Sequence, residues 1–400
     1  MKNIAILGYG TVGSGVYKII NDNNSHISRR AGEDVKVKYV LDLRDFPGDP
    51  VEEVLVHDID TIIEDKDVDI VVEVMGGVEP AYTFVKRALL AGKSACTSNK
   101  ELVAKHGAEL LQTAADNKVN FFFEASVGGG IPIIRPLIEC LTVDHLEEIQ
   151  GIMNGTTNYI LTKMEDEEAD FDTVLKDAQD LGYAERNPEA DIEGYDACRK
   201  IAILSSLAYE KQVDFEDIYT EGITKITTAD FDYMKKIGAS IKLLGMARKE
   251  GSVVYSMVAP FVIYSDNPLY NVKDVFNAIL LRGDMLGDVM FYGKGAGSLP
   301  TASAVVSDIV DAVKRQGETA DILWSDTKRQ LGSVDAFKTP YFVRVKGADA
   351  KDKVTEAFGD VQFIDSDLDE TAFITGVMTG SDFKAASAGL EVVSRIRVSA

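Results

Sequence analysis

Six residues close to the start of the chain have the spacing of a phosphate-binding turn. An apolar run at 3–7 leads into the pattern G-x-G-x-x-G, formed by Gly8, Tyr9, Gly10, Thr11, Val12 and Gly13. In such a turn the first glycine permits a tight bend, the second lets the backbone approach a pyrophosphate, and the third lets the helix pack closely on the strand. The N-terminus of the following helix offers unpaired N–H groups to the phosphates. A strand before the pattern and a helix after it favour a dinucleotide site.

Two charged residues at the end of the second predicted strand bear on which dinucleotide is bound. Asp42 would hold a ribose 2′-hydroxyl and disfavour a 2′-phosphate, whereas Arg44 would do the opposite. These side chains leave the choice between NAD(H) and NADP(H) open.

A second group of charged residues lies between 182 and 200. Asp196 and Lys200 are four residues apart and share one face if this stretch is helical. Taken alone, that spacing is typical of a surface ion pair worth only ~0.5 kcal/mol. Glu185 and Asp191 precede them closely, so several carboxylates stand near one ammonium group. This combination suits a small substrate that carries both an amino group and a carbonyl to be reduced.

The elements that position the first site alternate between strands and helices. Near-continuous Val- and Ile-rich strands separated by helices indicate a Rossmann-type, doubly wound parallel sheet with both faces covered. The predicted strands lie at 3–7, 35–41, 69–74, 93–97 and 120–123, and the predicted helices at 11–21, 80–91 and 102–117.

Changes of pattern along the chain predict three domains. Residues 1–135 form the dinucleotide-binding domain, completed by a helix at 300–320. Residues 136–299 mix strands with long helices and predict an α+β domain for the substrate and for dimerisation. Residues 340–400 form a small third domain, in which we expect a helix at 381–394 and a short closing strand at 396–398.

Composition limits the partners of the protein. The formal net charge is −23, and such a surface would repel nucleic acid and anionic membranes, so we expect a small-molecule substrate and neither of those partners. Three scattered cysteines without a C-x-x-C pair encode neither a disulfide framework nor a zinc site, which favours the reducing cytoplasm. No apolar run reaches the ~18 residues of a membrane span.

Residues 182–200 resemble the signature of the homoserine dehydrogenase family, a glycine-tyrosine-x-glutamate loop that leads to a helix with D-x-x-x-K. With the glycine turn, four further stretches extend the resemblance over roughly residues 3–320: 97–100, 124–132, 154–159 and 295–302. The family reduces L-aspartate 4-semialdehyde to L-homoserine, in threonine and methionine biosynthesis, with a nicotinamide dinucleotide.

The resemblance implies roles for the charged residues. Lys200 matches the family's proton donor to the carbonyl oxygen. Glu185 and Asp196 would bind the substrate, and Asp191 would position Lys200 or a water molecule. Lys100 would be a second cation of the catalytic site.

The resemblance also extends the set of cofactor-binding residues and favours NADP(H) over NAD(H). Thr97, Asn99 and Lys100 would line the nicotinamide end, Gly182 would belong to the same site, and the loop at Gly297 would close on the cofactor. Arg44 would then contact the 2′-phosphate.

A glycine-rich turn resembles the monovalent-cation site of the family. Its ligands would be the side chain or backbone of Glu124 and the backbone carbonyls of Val127, Gly129 and Ile131. Backbone oxygens suit a hard cation such as sodium. The alternative is that this turn is only a hinge between domains.

Residues 340–400 resemble an ACT domain, a small ferredoxin-like βαββαβ module that binds amino acids in regulatory enzymes. The Asp-x-Pro-Gly turn of such modules is replaced by Gly-Ala-Asp-Ala at 347–350, which leaves binding of threonine or another effector open. We expect the module to serve assembly, in a homodimer or homotetramer.

Two other functions are compatible with the dinucleotide site. Another semialdehyde reductase on the same fold is one, and a cysteine-dependent enzyme of that kind would need a nucleophile paired with a base. A non-catalytic regulator that senses NAD(H) is the other, but it would have no use for the carboxylates and the lysine at 185–200.

Overall fold

The structure is a computed structural model that describes residues 1–399, and the described chain forms two compact units. The first unit comprises Met1–Val143, Ala202–Asp214 and Gly293–Arg329. The second unit comprises Asp144–Ile201, Phe215–Tyr292 and residues 330–399.

Helices and strands are numbered in chain order. The helices are α1 (Thr11–Asp22), α2 (Asn24–Ala31), α3 (Ile59–Glu64), α4 (Ala81–Leu90), α5 (Lys100–Asp116), α6 (Gly155–Glu167), α7 (Phe171–Asp180), α8 (Glu189–Ile192), α9 (Tyr195–Ala208), α10 (Thr228–Ile237), α11 (Ser298–Lys314), α12 (Lys351–Phe358) and α13 (Gly380–Ala386). The strands are β1 (Lys2–Leu7), β2 (Val35–Leu41), β3 (Leu55–Val56), β4 (Val68–Glu73), β5 (Ser94–Thr97), β6 (Phe121–Phe122), β7 (Leu146–Ile152), β8 (Lys211–Gln212), β9 (Tyr219–Thr220), β10 (Ala239–Glu250), β11 (Val253–Tyr264), β12 (Phe276–Gly283), β13 (Gly287–Lys294), β14 (Ser325–Lys328), β15 (Lys338–Thr339), β16 (Tyr341–Lys346), β17 (Gln362–Ile364), β18 (Glu370–Ile374), β19 (Met378–Thr379) and β20 (Val392–Val398).

The first unit is built around a six-stranded parallel sheet with the order β3-β2-β1-β4-β5-β6. The order reverses between β1 and β4, as in doubly wound dinucleotide-binding sheets. In β4, Ile70, Val71 and Val72 are all buried, which explains the β-branched run, because helices cover both faces of such a sheet. The predicted Rossmann-type fold is confirmed.

Helix α11 belongs to this unit although it lies far along the chain. Val305 and Ile309 of α11 share one apolar core with Val16 and Ile20 of α1 and with Ile4 of β1. The two helices therefore cover the sheet side by side, and α1 is held where it leaves the glycine turn.

The second unit is built around a mixed, largely antiparallel sheet with the order β13-β12-β7-β10-β11-β20-β16-β18-β17. Its long central pair, β10 and β11, is antiparallel. Strand β10 is not among the predicted strands, because nearly all of its residues are buried and the alternation that marks a half-exposed strand is missing.

The C-terminal part of the second unit has the element order β16-α12-β17-β18-α13-β20, with the short β19 before α13. Its four main strands are arranged β20-β16-β18-β17 with antiparallel neighbours, which is a ferredoxin-like arrangement. Strand β20 also pairs in parallel with β11, so these strands continue the sheet of the unit.

The predicted helix at 381–394 is wrong in its second half. Helix α13 ends at Ala386, and β20 occupies Val392–Val398, which is longer than the predicted closing strand. Gly389 interrupts the helical pattern, and the β-branched residues beyond it favour a strand. Pairing with β16 on one side and β11 on the other then fixes this strand in the sheet.

Within residues 1–399, no helix has both the length and the apolar character needed to cross a bilayer.

Candidate active site

The glycine turn after β1 has the backbone geometry that its sequence predicts. Gly8 has a φ of +98°, a conformation that favours glycine. A Cβ at Gly13 would lie 1.9 Å from the carbonyl oxygen of Gly8, so only glycine lets α1 start this close to the turn. A Cβ at Gly10 would meet no atom within 4 Å, which leaves room for a pyrophosphate. Thr11 and Val12 are the first residues of α1, and N–H groups at such a helix N-terminus are free to bind a phosphate.

A cavity of about 670 Å³ adjoins this turn. Its volume is typical of ligand sites, which span ~300–1,000 Å³. The residues lining it include Gly8, Gly10, Leu41, Asp42, Arg44 and Phe84. The glycine turn and this cavity together fit the adenosine and pyrophosphate part of a dinucleotide.

Asp42 and Arg44 interact directly in the wall of the cavity. The Asp42 carboxylate accepts hydrogen bonds from Arg44 Nε at 2.9 Å and from the N–H of Tyr9 at 2.8 Å. The bond from Arg44 holds the pKa of Asp42 well below its ordinary value, although partial burial opposes this shift. Arg44 itself is 62% exposed. The charge of Asp42 is therefore balanced by a cation that solvent and ligands can reach.

Thr97, Asn99 and Lys100 lie together where β5 ends and α5 begins. Thr97 and Asn99 are buried. The Asn99 side chain accepts a hydrogen bond from the N–H of Leu102 and caps α5, and its amide donates to the Gly77 carbonyl at 2.5 Å. Lys100 is the first residue of α5. The side chain of Asn99 thus has a structural role of its own.

Glu73, a buried acid beside Thr97, is a further residue of this region that the sequence did not indicate. The Thr97 hydroxyl donates to Glu73 Oε2 at 2.6 Å. The N–H groups of Met75 and Gly76 donate to Oε1 at 2.8 and 3.3 Å. Burial raises the pKa of Glu73, and these hydrogen bonds oppose the shift. The available signal was a single acid at the end of an apolar strand, followed by a pair of glycines.

Asp196 and Lys200 form a largely buried ion pair on α9. Lys200 Nζ lies 2.7 Å from Asp196 Oδ2, and the two side chains are 12% and 9% exposed. Nζ also donates to the Met153 carbonyl at 2.7 Å. The pair is therefore not the solvent-exposed ion pair that its spacing alone suggests.

Asn154 joins Asp191 to this pair. Its amide nitrogen donates to Asp191 Oδ1 at 2.6 Å and to Asp196 Oδ2 at 2.9 Å. Its oxygen accepts from the N–H of Thr157 and so caps α6. Asn154 is not recognisable as a site residue from the sequence, because an asparagine before a helix is a common cap. Its contacts with Asp191 and Asp196 exist only in the folded unit. We call Asn154, Asp191, Asp196 and Lys200 the lysine cluster.

Glu185 and Gly182 lie outside the lysine cluster, on the loop after α7. Glu185 is exposed, and its backbone carbonyl accepts a hydrogen bond from Gln179. Gly182 has a φ of +75° and no atom near the position of a Cβ. The structure thus brings Asp191, but not Glu185, together with Asn154, Asp196 and Lys200.

The side chain of Glu124 is buried and bound by the chain itself. Its carboxylate accepts hydrogen bonds from the N–H groups of Ile133, Ile134 and Arg135 at 2.6, 2.8 and 2.7 Å. These bonds engage both oxygens, which favours the backbone of Glu124 over its side chain as a cation ligand. Within residues 1–399, no group of three or more His, Cys, Asp or Glu side chains is arranged to hold a metal ion.

The rest of the predicted cation turn lies against the loop that leads into α11. Val127 and Ile131 are buried. A Cβ at Gly129 would lie 2.4 Å from the carbonyl oxygen of Gly295, so these two backbones are in close contact. Gly297, which has a φ of +118°, directly precedes α11.

The chain is similar to several proteins of known identity. It is 42% identical over 367 residues to a homoserine dehydrogenase of Bacillus subtilis, which covers 89% of this chain and 84% of the relative. The structure of a homoserine dehydrogenase from Thiobacillus denitrificans has a TM-score of 0.91 and 36% identity, and covers 100% of this chain and 98% of that one. A hyperthermophilic archaeal homoserine dehydrogenase in complex with NADPH has a TM-score of 0.66 and 31% identity, over 78% and 98% of the two chains.

Two family models match consecutive parts of the chain. The model described as "Homoserine dehydrogenase, NAD binding domain" matches residues 8–124, and the model "Homoserine dehydrogenase" matches residues 132–310. The Rossmann-type fold and the lysine cluster, taken with these matches, define an NAD(P)-dependent oxidoreductase. The chain belongs to the homoserine dehydrogenase family, which interconverts L-aspartate 4-semialdehyde and L-homoserine.

The two alternative functions are not favoured. Burial raises the pKa of the Cys96 and Cys198 thiols, the opposite of what an activated nucleophile requires. A regulator without turnover would not need the lysine cluster, and the relatives are named as dehydrogenases.

Proposed function

We propose that this chain interconverts L-homoserine and L-aspartate 4-semialdehyde with Lys200 as the catalytic acid and base. The main support is the position of Lys200 Nζ, which is largely buried and donates hydrogen bonds to the Met153 carbonyl and to the Asp196 carboxylate. An ammonium group has three N–H donors, and these partners use two. The third is left to donate to the carbonyl oxygen of a substrate.

The lysine cluster then carries out the proton transfer of the reaction. During reduction Lys200 gives a proton to the aldehyde oxygen, and during oxidation it takes one from the hydroxyl of homoserine. The bound nicotinamide supplies or accepts the hydride. Asp196 keeps Nζ in place, and a positioned acid of this kind contributes ~10²–10⁴-fold in rate.

Substrate binding falls to the carboxylates of the second unit. We assign Asp196 and Glu185 to the α-ammonium group of the substrate, and Asp191 to the positioning of Lys200 or a water molecule. Asn154 supports the assignment of Asp191, because one amide nitrogen binds both Asp191 and Asp196. The exposed loop that carries Glu185 would have to move toward the substrate.

For the cofactor we propose a preference for NADP(H) over NAD(H). Arg44 is exposed and already neutralises Asp42, so a 2′-phosphate would meet a cation rather than an unpaired carboxylate. The archaeal relative was solved with NADPH, which supports the same choice. The glycine turn, with Gly8, Gly10, Thr11, Val12 and Gly13, would bind the pyrophosphate. Thr97, Asn99, Lys100, Gly182 and Gly297 are assigned to the nicotinamide end, and Lys100 also to the catalytic site.

The cation and the C-terminal module complete the proposal. A sodium ion would be held by backbone carbonyls of Glu124, Val127, Gly129 and Ile131, because the Glu124 carboxylate is already engaged. The ferredoxin-like order of the C-terminal strands supports an ACT-like module at 340–400. We assign this module to assembly, in a homodimer or homotetramer.

The test is the oxidation of L-homoserine with NADP⁺ or NAD⁺, followed by absorbance of the reduced nicotinamide. We expect turnover with both cofactors and a higher kcat/KM with NADP⁺. Lys200→Ala should lower kcat by ~10²–10⁴-fold while the Kd of NADPH stays unchanged.

A matched control is Lys163→Ala, which removes a partly exposed lysine of the same unit that pairs with Glu167. It should keep wild-type rates. Near wild-type kcat in Lys200→Ala would remove Lys200 from the mechanism, and no homoserine-dependent signal in the wild type would refute the function.

A further inference from the structure

Glu73 is an unusual buried acid of the first unit. Its side chain is fully buried, yet its carboxylate is held by two backbone N–H groups and one hydroxyl, none of which carries a formal charge. A buried carboxylate without a cation is costly to maintain. Such groups are concentrated at functional sites, where their position or charge is used.

The contacts of Glu73 join two separate turns. Oxygen Oε1 binds the turn after β4 through Met75 and Gly76. Oxygen Oε2 binds Thr97 at the end of β5, and the Thr97 hydroxyl in turn accepts from the N–H of Asn99 at 2.9 Å. One carboxylate therefore sets the spacing of the turns that follow two neighbouring strands.

The position of the turns after β4 and β5 in the sheet indicates which part of the cofactor they would contact. Ligands of such sheets bind at the carboxyl ends of the strands, across the point where the strand order reverses. The half with β1 and β2 carries the glycine turn and Asp42, which fit the adenine side. The half that begins with β4 is left for the other mononucleotide, and Glu73 is the last residue of β4.

We propose that Glu73 is a positioning residue for the nicotinamide mononucleotide of the cofactor, acting through the turns after β4 and β5. The proposal rests on the proposed assignment of Thr97 and Asn99 to the nicotinamide end. Glu73 does not touch the cofactor itself. As an acceptor on both oxygens, it holds the backbone of the two turns at one separation.

The test compares two probes on the full-length Glu73→Gln variant. NADPH carries both mononucleotides, whereas adenosine 2′,5′-bisphosphate carries only the adenine side. Glutamine keeps the size of the side chain but turns an NH₂ group toward donors on one of the turns, which leaves them unpaired. We expect the Kd of NADPH to rise about tenfold or more, with a fall in kcat and an unchanged Kd of the bisphosphate.

Asp69→Asn is the matched control, because it makes the same change at the other end of β4, where Asp69 binds Lys2 and Asn3. It should leave both dissociation constants and kcat unchanged. If Glu73→Gln does not fold, Glu73→Asp keeps the charge but shortens the side chain by one methylene, so that its carboxylate no longer reaches both turns. It should give the same separation of the two probes at a smaller size.

Two outcomes would overturn the proposal. One is equal weakening of NADPH and of the bisphosphate, which would show a general structural role of Glu73. The other is wild-type affinity and kcat in the folded variant. Failure of the proposed function is distinguishable, since the wild type itself would then show no oxidation of homoserine.

Discussion

Two lysines of the second unit, one largely buried and one fully buried, have different surroundings. Lys200 is held by the carboxylate of Asp196. Lys242, on β10, is fully buried and donates to the Val272 carbonyl at 2.9 Å. Burial lowers the pKa of Lys242 to about 8, although nearby Glu165 opposes the shift. Lys242 therefore destabilises the folded chain at any pH at which its side chain is charged.

Substitution of Lys242 by methionine should stabilise the protein near neutral pH. The folded pKa of about 8 lies below the ordinary lysine value of ~10.4, and one pKa unit corresponds to ~1.4 kcal/mol. The unfolded chain then binds the extra proton between these pH values, so wild-type stability rises with pH across that window. We expect Lys242→Met to be more stable by ~2–3 kcal/mol at pH 7, with an advantage that shrinks toward pH 10.

Urea unfolding of both proteins at several pH values measures this difference. The control is Lys235→Met on α10, where a hydrogen bond from Lys235 to Glu168 raises the pKa of the exposed lysine. That variant should show no gain in stability at pH 7. A difference between Lys242→Met and the wild type that does not vary with pH would contradict the expectation.

At the scale of elements, the loop before α11 and the turn at Gly129 depend on one close contact. Gly129 has a φ of +56°, and a Cβ there would lie 2.4 Å from the Gly295 carbonyl oxygen. Both features disfavour any other residue, but for different reasons. The first is conformational, whereas the second requires the two backbones to separate.

Gly129→Ala should therefore destabilise the first unit more than a change at an ordinary left-handed glycine. Gly92 provides the comparison, because it has a φ of +76° and no atom within 4 Å of a Cβ. We expect Gly92→Ala to cost ~1–2 kcal/mol through the backbone conformation alone, and Gly129→Ala clearly more. Equal shifts of the two urea midpoints would show that the loop at Gly295 yields without cost.

Elements with a regular pattern could be predicted from the sequence, and those fixed by tertiary contacts could not. The bounds predicted for β2 match the structure and those predicted for α1 differ by one residue, since β-branched runs and helical periodicity are local properties. Strand β10 was missed because both its faces are buried. Residues 392–394 of β20 were assigned to a helix, because the place of this strand between β11 and β16 is not encoded locally.

The same distinction applies to the candidate site. The glycine turn and the pair of Asp196 and Lys200 follow fixed spacings and were selected. Glu73 and Asn154 were not, because their contacts join residues far apart in the sequence. The role of a buried acid or amide can be inferred only when the residues that it contacts are known.

At the scale of the whole molecule, the C-terminal module is bound into the second unit by buried charges. Arg344 of β16 donates to Asp230 of α10 at 2.9 Å and to Glu370 of β18 at 2.8 Å. Asp230 is fully buried and Arg344 is 5% exposed. Asp230 also accepts from Thr227 and caps α10. Removal of the module would leave Asp230 without its cation.

We therefore expect the module to stabilise the unit that carries the lysine cluster, besides any role in assembly. Arg344→Leu should lower the free energy of unfolding by ~3–5 kcal/mol, because it leaves Asp230 buried and without its cation. Lys346→Leu on the same strand is the control, since Lys346 and Glu391 form an exposed pair worth ~0–1 kcal/mol. The urea midpoint of unfolding should be lower for Arg344→Leu than for Lys346→Leu. The rate of homoserine oxidation, measured for both variants at the same temperature, shows whether the lysine cluster is affected as well. An Arg344→Leu chain with a wild-type midpoint would mean that the module folds independently of α10, and its removal would then affect assembly alone.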